Sequence, residues 1–124
     1  MILMTLRAYL LLLSFEYSLL RGDFVAIYRR VRCQPVRPRK FDTDTCALAC
    51  RAVDHACILY FKQVQCFQRS AVTVCVLRQQ GAPAELVIGA RPFPFRAHAW
   101  VEVQGIVVND KVSATETYAV LDRC

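Results

Sequence analysis

Apolar residues recur at helical spacing through the first half of the chain and alternate at strand spacing through the second, so the sequence predicts helices followed by a small sheet. Met4 to Leu20 reads as one helix, and Asp23 is placed to cap a second in which Phe24, Ile27, Tyr28 and Val31 share a face. The pattern then breaks at Cys33-Gln34-Pro35-Val36-Arg37-Pro38-Arg39-Lys40, whose two prolines read as a linker. Asp42-Thr43-Asp44-Thr45 supplies N-cap candidates for a third helix ending near Tyr60, and a fourth begins at Cys66 and is stopped by Gly81. Beyond it, Glu85 to Ala90, Ala97 to Val103 and Ile106 to Asn109 are rich in Val and Ile. Gln104-Gly105 marks a hairpin turn, and Tyr118 to Leu121 reads as a last short strand. The resulting expectation is a single α+β domain over residues 1–124. Residues 1–41 form an N-terminal helical hairpin with a basic linker, and residues 42–124 form the catalytic core.

Charge and cysteine content narrow the classes of function. Sixteen Lys and Arg against ten Asp and Glu give a net charge of +6, which favours an acidic peptide or partner surface. No nucleic-acid reader motif is present, and the arginines are not interleaved with aromatics, so nucleic acid is not the expected ligand. The seven cysteines are odd in number and lack the spacing of a disulfide framework, which fits a reducing cytoplasm. The apolar opening resembles a signal peptide, but Glu16 follows Phe15 at once and no small-residue cleavage site is visible. Its uncharged run, Ala8 to Phe15, is too short to span a bilayer, so no transmembrane segment is expected and the helix reads as packed or partner-facing.

The candidate chemistry lies in Cys66 and His98. A cysteine at a helix N-terminus meets unpaired N–H groups and the positive end of the dipole, which favour the nucleophilic thiolate. An imidazole on a nearby strand would serve as its base, and the backbone N–H groups would stabilise an oxyanion. The group that orients His98 is open. With a strict two-residue turn, Ala99 pairs with Asp110 and Asn109 shares the face of His98; with a third loop residue or a bulge, Trp100 pairs with Asp110, whose carboxylate then lies diagonal to His98. Elsewhere, Cys46, Cys50 and Cys57 fall on one helical face and read as core in preference to a soft-metal site, with His55 roughly opposite them. Trp100 and Val101 read as core, Glu102 as a solvated strand residue, and Gln65 and Ser70 as flanks of the nucleophile.

The segments Cys66-Phe67-Gln68-Arg69-Ser70, Leu77-Arg78-Gln79-Gln80-Gly81, Leu86-Val87-Ile88-Gly89, Phe95-Arg96-Ala97-His98-Ala99-Trp100-Val101-Glu102 and Asn109-Asp110 together resemble the lasso peptide maturation B proteins, in their free-standing leader-peptidase form. The likeness is dense over 66–110, extends through Tyr118 to Leu121, and is thin over the first forty residues. It implies a transglutaminase-like fold related to papain and a cofactor-free cysteine protease that cuts the leader from a ribosomally made bacterial precursor peptide. A separate leader-recognition protein and a macrolactam-forming cyclase would act with it. It further implies Cys66 as nucleophile, His98 as base and acid, and Asp110 as the orienting group, which selects the longer loop or bulge. Acyl transfer to an amine and a non-catalytic docking scaffold are the alternatives.

Overall fold

A computed structural model describes all 124 residues. Helix α1 (Ile2–Leu20) ends where Gly22 enters the left-handed region at φ 70, and α2 (Phe24–Cys33) starts at Asp23, whose carboxylate accepts the Ala26 N–H at 3.0 Å. Asp42 caps α3 (Thr43–Leu59) in the same way through the Thr45 N–H at 2.7 Å. Helix α4 (Cys66–Gln79) leads into β1 (Ala84–Arg91), β2 (Arg96–Val103) and β3 (Ile106–Val107). A short helix α5 (Val112–Thr115), which the sequence pattern does not signal, precedes β4 (Ala119–Arg123). The antiparallel sheet has the order β3-β2-β1-β4, and the architecture is α+β as expected.

Helix α4 is the hub. From Ser70 to Arg78 every residue is buried, because α1, α2 and α3 cover one side while Ala99, Val101 and Val103 of β2 and Leu86 of β1 cover the other. Ala8, Leu12 and Phe15 of α1 and Ile27 and Val31 of α2 belong to this same apolar core, so the first two helices are part of the domain's packing and not an appendage. The proline-containing segment is pinned as well. Arg37 N–H donates to the Arg78 carbonyl at 2.9 Å, and the Arg39 carbonyl lies so close over Gly81, at φ 94, that a Cβ there would collide with it. The buried Arg78 guanidinium then joins three elements by donating to the carbonyls of Val31 (2.5 Å), Gln34 (3.1 Å) and Ala84 (2.9 Å).

One expectation is corrected here. Glu102 is not solvated: only 8% exposed, it accepts from the Trp100 indole at 2.8 Å and from Arg123 of β4 at 2.9 Å. Burial raises its pKa, but these two donors outweigh that and hold the carboxyl below its ordinary range. Helix α1, taken at its full 19 residues including Arg7 and Glu16, is by length and composition alone apolar enough to cross a membrane. A mostly buried core helix and an N-terminal signal sequence meet the same criterion; here Ala8, Leu12, Phe15 and Glu16 are buried, and 22% of the apolar stretch lies inside the fold.

Candidate active site

The β2–β3 hairpin sets the site. Val103 pairs with Ile106 and Glu102 with Val107, and Gln104 and Gly105 both have positive φ (51 and 81), the signature of a two-residue type I′ turn. The extra loop residue or bulge expected from the resemblance is therefore absent. Yet the side chain that meets His98 is Asp110 and not Asn109: His98 Nε2 and Asp110 Oδ2 are 2.5 Å apart. Both registers assumed that the strand continues to residue 109 or 110, whereas β3 stops at Val107 and only Val108 N–H still reaches the Val101 carbonyl, at 3.0 Å. At Asn109 the chain leaves the sheet. Its side chain takes the place of the missing strand: Oδ1 accepts the Val101 N–H at 2.8 Å, and Nδ2 donates to Ser70 Oγ at 3.1 Å. Freed from strand alternation, Asp110 swings onto the imidazole.

Asp110 is further held by the Lys111 N–H at 2.8 Å. Partial burial pushes its pKa up, but the hydrogen bonds from His98 and Lys111 outweigh this and keep the carboxyl below its usual value. An ionised carboxylate only accepts, so Nε2 carries the proton that faces it and Nδ1 is the ring nitrogen left to accept one. The His98 ring lies 5.3 Å from the Tyr118 ring and 5.9 Å from that of Trp100. Gly89, paired with His98 across the sheet, makes room for this stack, since a Cβ there would sit 2.8 Å from Trp100 and 2.9 Å from Tyr118. Arg91 caps it, its guanidinium 5.6 Å from the Tyr118 ring centre and its Nε buried without a partner.

Cys66 is the first residue of α4 and is exposed. Gln65, at the N-cap, makes no side-chain cap, so the first N–H groups of the helix remain free of one. One turn on, and on the same face as Cys66, Ser70 Oγ donates to the Ala99 carbonyl at 3.1 Å. Arg69 bridges Asp54 at 2.8 Å and the Asn109 carbonyl at 3.4 Å. The structure thus joins His98 to Asp110 and ties the opening turns of α4 to the residues beside that pair, while no hydrogen bond links Cys66 itself to His98. Of the flanking residues, Ser70 is a structural bridge. The Tyr118 and Arg91 stack carried no sequence signal, because it forms between segments 20 and more residues apart from the nucleophile and from one another in the chain. Cys46, Cys50 and Cys57 line the rim of the core, and His55 is exposed.

The chain thus sets a cysteine at the opening of a central helix, a histidine on a strand and an aspartate beyond the next hairpin, and the family it matches is the transglutaminase-like superfamily. Residues 9–123 match that superfamily, and the chain belongs to it. The match begins within α1, in keeping with the place of the first helices in the core. Over 56 residues, 45% of this chain, the sequence is 38% identical to the microcin J25-processing protein McjB of Escherichia coli. That span is 27% of the relative's length, so the likeness covers about a quarter of McjB. No solved structure matches the chain.

Proposed function

We propose that this chain is a cytoplasmic cysteine peptidase that removes the leader from a ribosomally synthesised lasso peptide precursor, with Cys66 as nucleophile, His98 as general base and acid, and Asp110 as the orienting carboxylate. The observation that carries the reading is the His98 Nε2 to Asp110 contact at 2.5 Å, which leaves Nδ1 free to take a thiol proton, beside a helix that opens on an exposed cysteine. The likeness to a protein named for processing microcin J25 supports the substrate class.

In the reaction, substrate binding brings Cys66 Sγ and His98 Nδ1 together, a bond commonly unmade without substrate. Nδ1 takes the proton as Sγ attacks the scissile carbonyl carbon, and the uncapped N–H groups of α4 receive the oxyanion. The imidazolium, stabilised by Asp110, protonates the departing amine, which becomes the N-terminus of the core peptide. Water, deprotonated by Nδ1, then resolves the thioester and releases the leader carboxylate together with the thiol. A separate leader-binding protein delivers the substrate, and a cyclase consumes the product.

Purified chain, precursor peptide and leader-binding partner mixed together should yield free leader and core by mass, and Cys66→Ala should yield none while its circular dichroism is unchanged. Cleavage by that variant would remove the assignment. Membership of a transglutaminase-like superfamily favours one further reading, acyl transfer. With an added primary amine it would produce a leader amide in place of the acid.

A further inference from the structure

Helix α1 carries two apolar faces on opposite sides. Ala8, Leu12 and Phe15 face the core. On the other side, Leu3, Leu6, Leu10, Leu13, Tyr17 and Leu20 follow one another at intervals of 3, 4, 3, 4 and 3 residues, the a/d spacing of a coiled-coil seam, and they are 61, 53, 56, 41, 63 and 76% exposed. With a rise of about 1.5 Å per residue the seam runs for roughly 27 Å, or five turns. At roughly 200 Å² per large side chain it presents on the order of 700 Å² of exposed surface, above the few hundred Å² usual for a monomer and near the ~800 Å² per partner of a stable interface. At its N-terminal end, Leu6 continues into an apolar groove of about 640 Å³ walled by Ile58 and Leu59 of α3.

The edges of the seam say what fits it. One edge holds Arg7, Ser14 and Arg21, one heptad apart, and Ser14 brings a third guanidinium there by accepting from Arg30 Nη1 at 2.7 Å, with Arg30 stacked 4.4 Å from the Phe15 ring. The other edge holds Ile2, Tyr9 and Glu16, and Glu16 is buried and paired to Lys62 at 3.0 Å, so it offers no free charge. A second copy laid antiparallel would set arginine against arginine, and a parallel copy would find only the spent Glu16. The arginines alone would also suit an anionic lipid surface, but the exposed leucines keep the alternating 3-4 spacing over about five turns in a stripe one side chain wide, which is the register of a second helix.

We propose that the outward seam of α1 docks an amphipathic helix of a partner protein, some five turns long, with leucine-like residues at its own a and d positions and Glu or Asp beside them. The pairing is a two-helix seam in which α1 bridges the partner to the core through α3 and α4. Nothing in it depends on the chemistry at Cys66.

The test uses the full chain and a fluorescein-labelled synthetic 21-residue helix with Leu at a and d and Glu at e and g, against the same peptide with Lys at e and g. Fluorescence anisotropy should show saturable binding of the Glu peptide at least about tenfold tighter than of the Lys peptide, weakening with salt. Leu10→Asp with Leu13→Asp, both at exposed positions, should abolish binding without altering the thermal melt. Arg7→Glu with Arg21→Glu, which leaves the seam intact, should reverse the preference toward the Lys peptide. Equal binding of the two peptides, or binding that survives the seam variant, overturns the proposal. A monomer–dimer equilibrium broken by the seam variant would assign the face to a second copy. Co-sedimentation with phosphatidylserine vesicles and no peptide binding would assign it to lipid.

Discussion

The two halves of β2 are built to different ends. From Trp100 to Val103 the strand is buried, paired with β1 throughout and with β3 at Glu102 and Val103, and even its charged residue, Glu102, is satisfied by Trp100 and Arg123. From Arg96 to Ala99 it pairs with β1 alone and its outer residues are open; where the halves meet, the Ala99 carbonyl and the Val101 N–H are met by the side chains of Ser70 and Asn109 instead of a backbone. The first half holds the sheet to α4. The second gives up strand pairing so that a side chain from an irregular segment, Asp110, can approach His98 from the edge, where regular alternation would have placed it on a fixed face.

The sharpest break of that contrast is Asp110→Ala. It removes a carboxylate from the open half, so turnover in the cleavage assay should fall by roughly a thousandfold, far more than the modest loss of stability would account for, because the imidazole loses its tautomer and orientation. The pH dependence follows the same group. Its folded pKa lies below the unfolded value of about 3.9, so its stabilising contribution is complete above that pH and disappears as pH falls through the lower folded value. Acid denaturation of wild type and Asp110→Ala, followed by circular dichroism, should therefore differ near neutrality and converge at the acid end. A constant gap between the curves down to the lowest pH would contradict the ionised carboxylate.

Asn109→Ala should strike both halves at once. It leaves the Val101 N–H and Ser70 Oγ short of a partner, which costs about 1–3 kcal/mol in a denaturant melt, and it loosens the segment that carries Asp110, lowering turnover by roughly tenfold. Loss of activity as deep as that of Asp110→Ala, with stability untouched, would instead make Asn109 the orienting residue.

These two residues also mark where the sequence stops being legible. The caps at Asp23 and Asp42, the helix opening on Cys66 and the Gln104-Gly105 turn all rest on interactions within four residues, and each was readable. The role of Asn109 was not, since it depends on the strand ending two residues after the turn and on Ser70, 39 residues earlier. Extrapolating alternation past Val107 gave the wrong geometry for either register, even though the resemblance pointed to Asp110. Glu102 failed for a similar reason: a charged residue on a strand reads as solvated unless its partner is known, and Arg123 lies 21 residues away on a strand that pairs only with β1.

Glu102 tests the buried half. Glu102→Gln keeps the shape and one acceptor for the Trp100 indole but removes the charge facing Arg123, and it should cost about 1–2 kcal/mol of stability with turnover nearly unchanged. A large fall in turnover at full stability would mean that the two halves are coupled more tightly than their hydrogen bonds imply.

The smallest expected effect separates two kinds of cysteine and extends the contrast from β2 to the helices. Cys50 in the packed stripe of α3 is half-buried and Cys75 in the middle of α4 is buried, and desolvation pushes both thiols up to about 11, so at neutral pH they remain protonated. Cys66 and Cys33 are exposed. Brief treatment with iodoacetamide at neutral pH, followed by peptide mass mapping, should modify Cys66 and Cys33 while sparing Cys50 and Cys75. Cys50→Ala should leave cleavage intact and cost on the order of 1 kcal/mol, the loss of one small half-buried group at the core's rim. If Cys50 were labelled as fast as Cys66 in the folded chain, α3 would have to open locally. The difference between the two helices would then lie in their dynamics and not in the burial of their thiols.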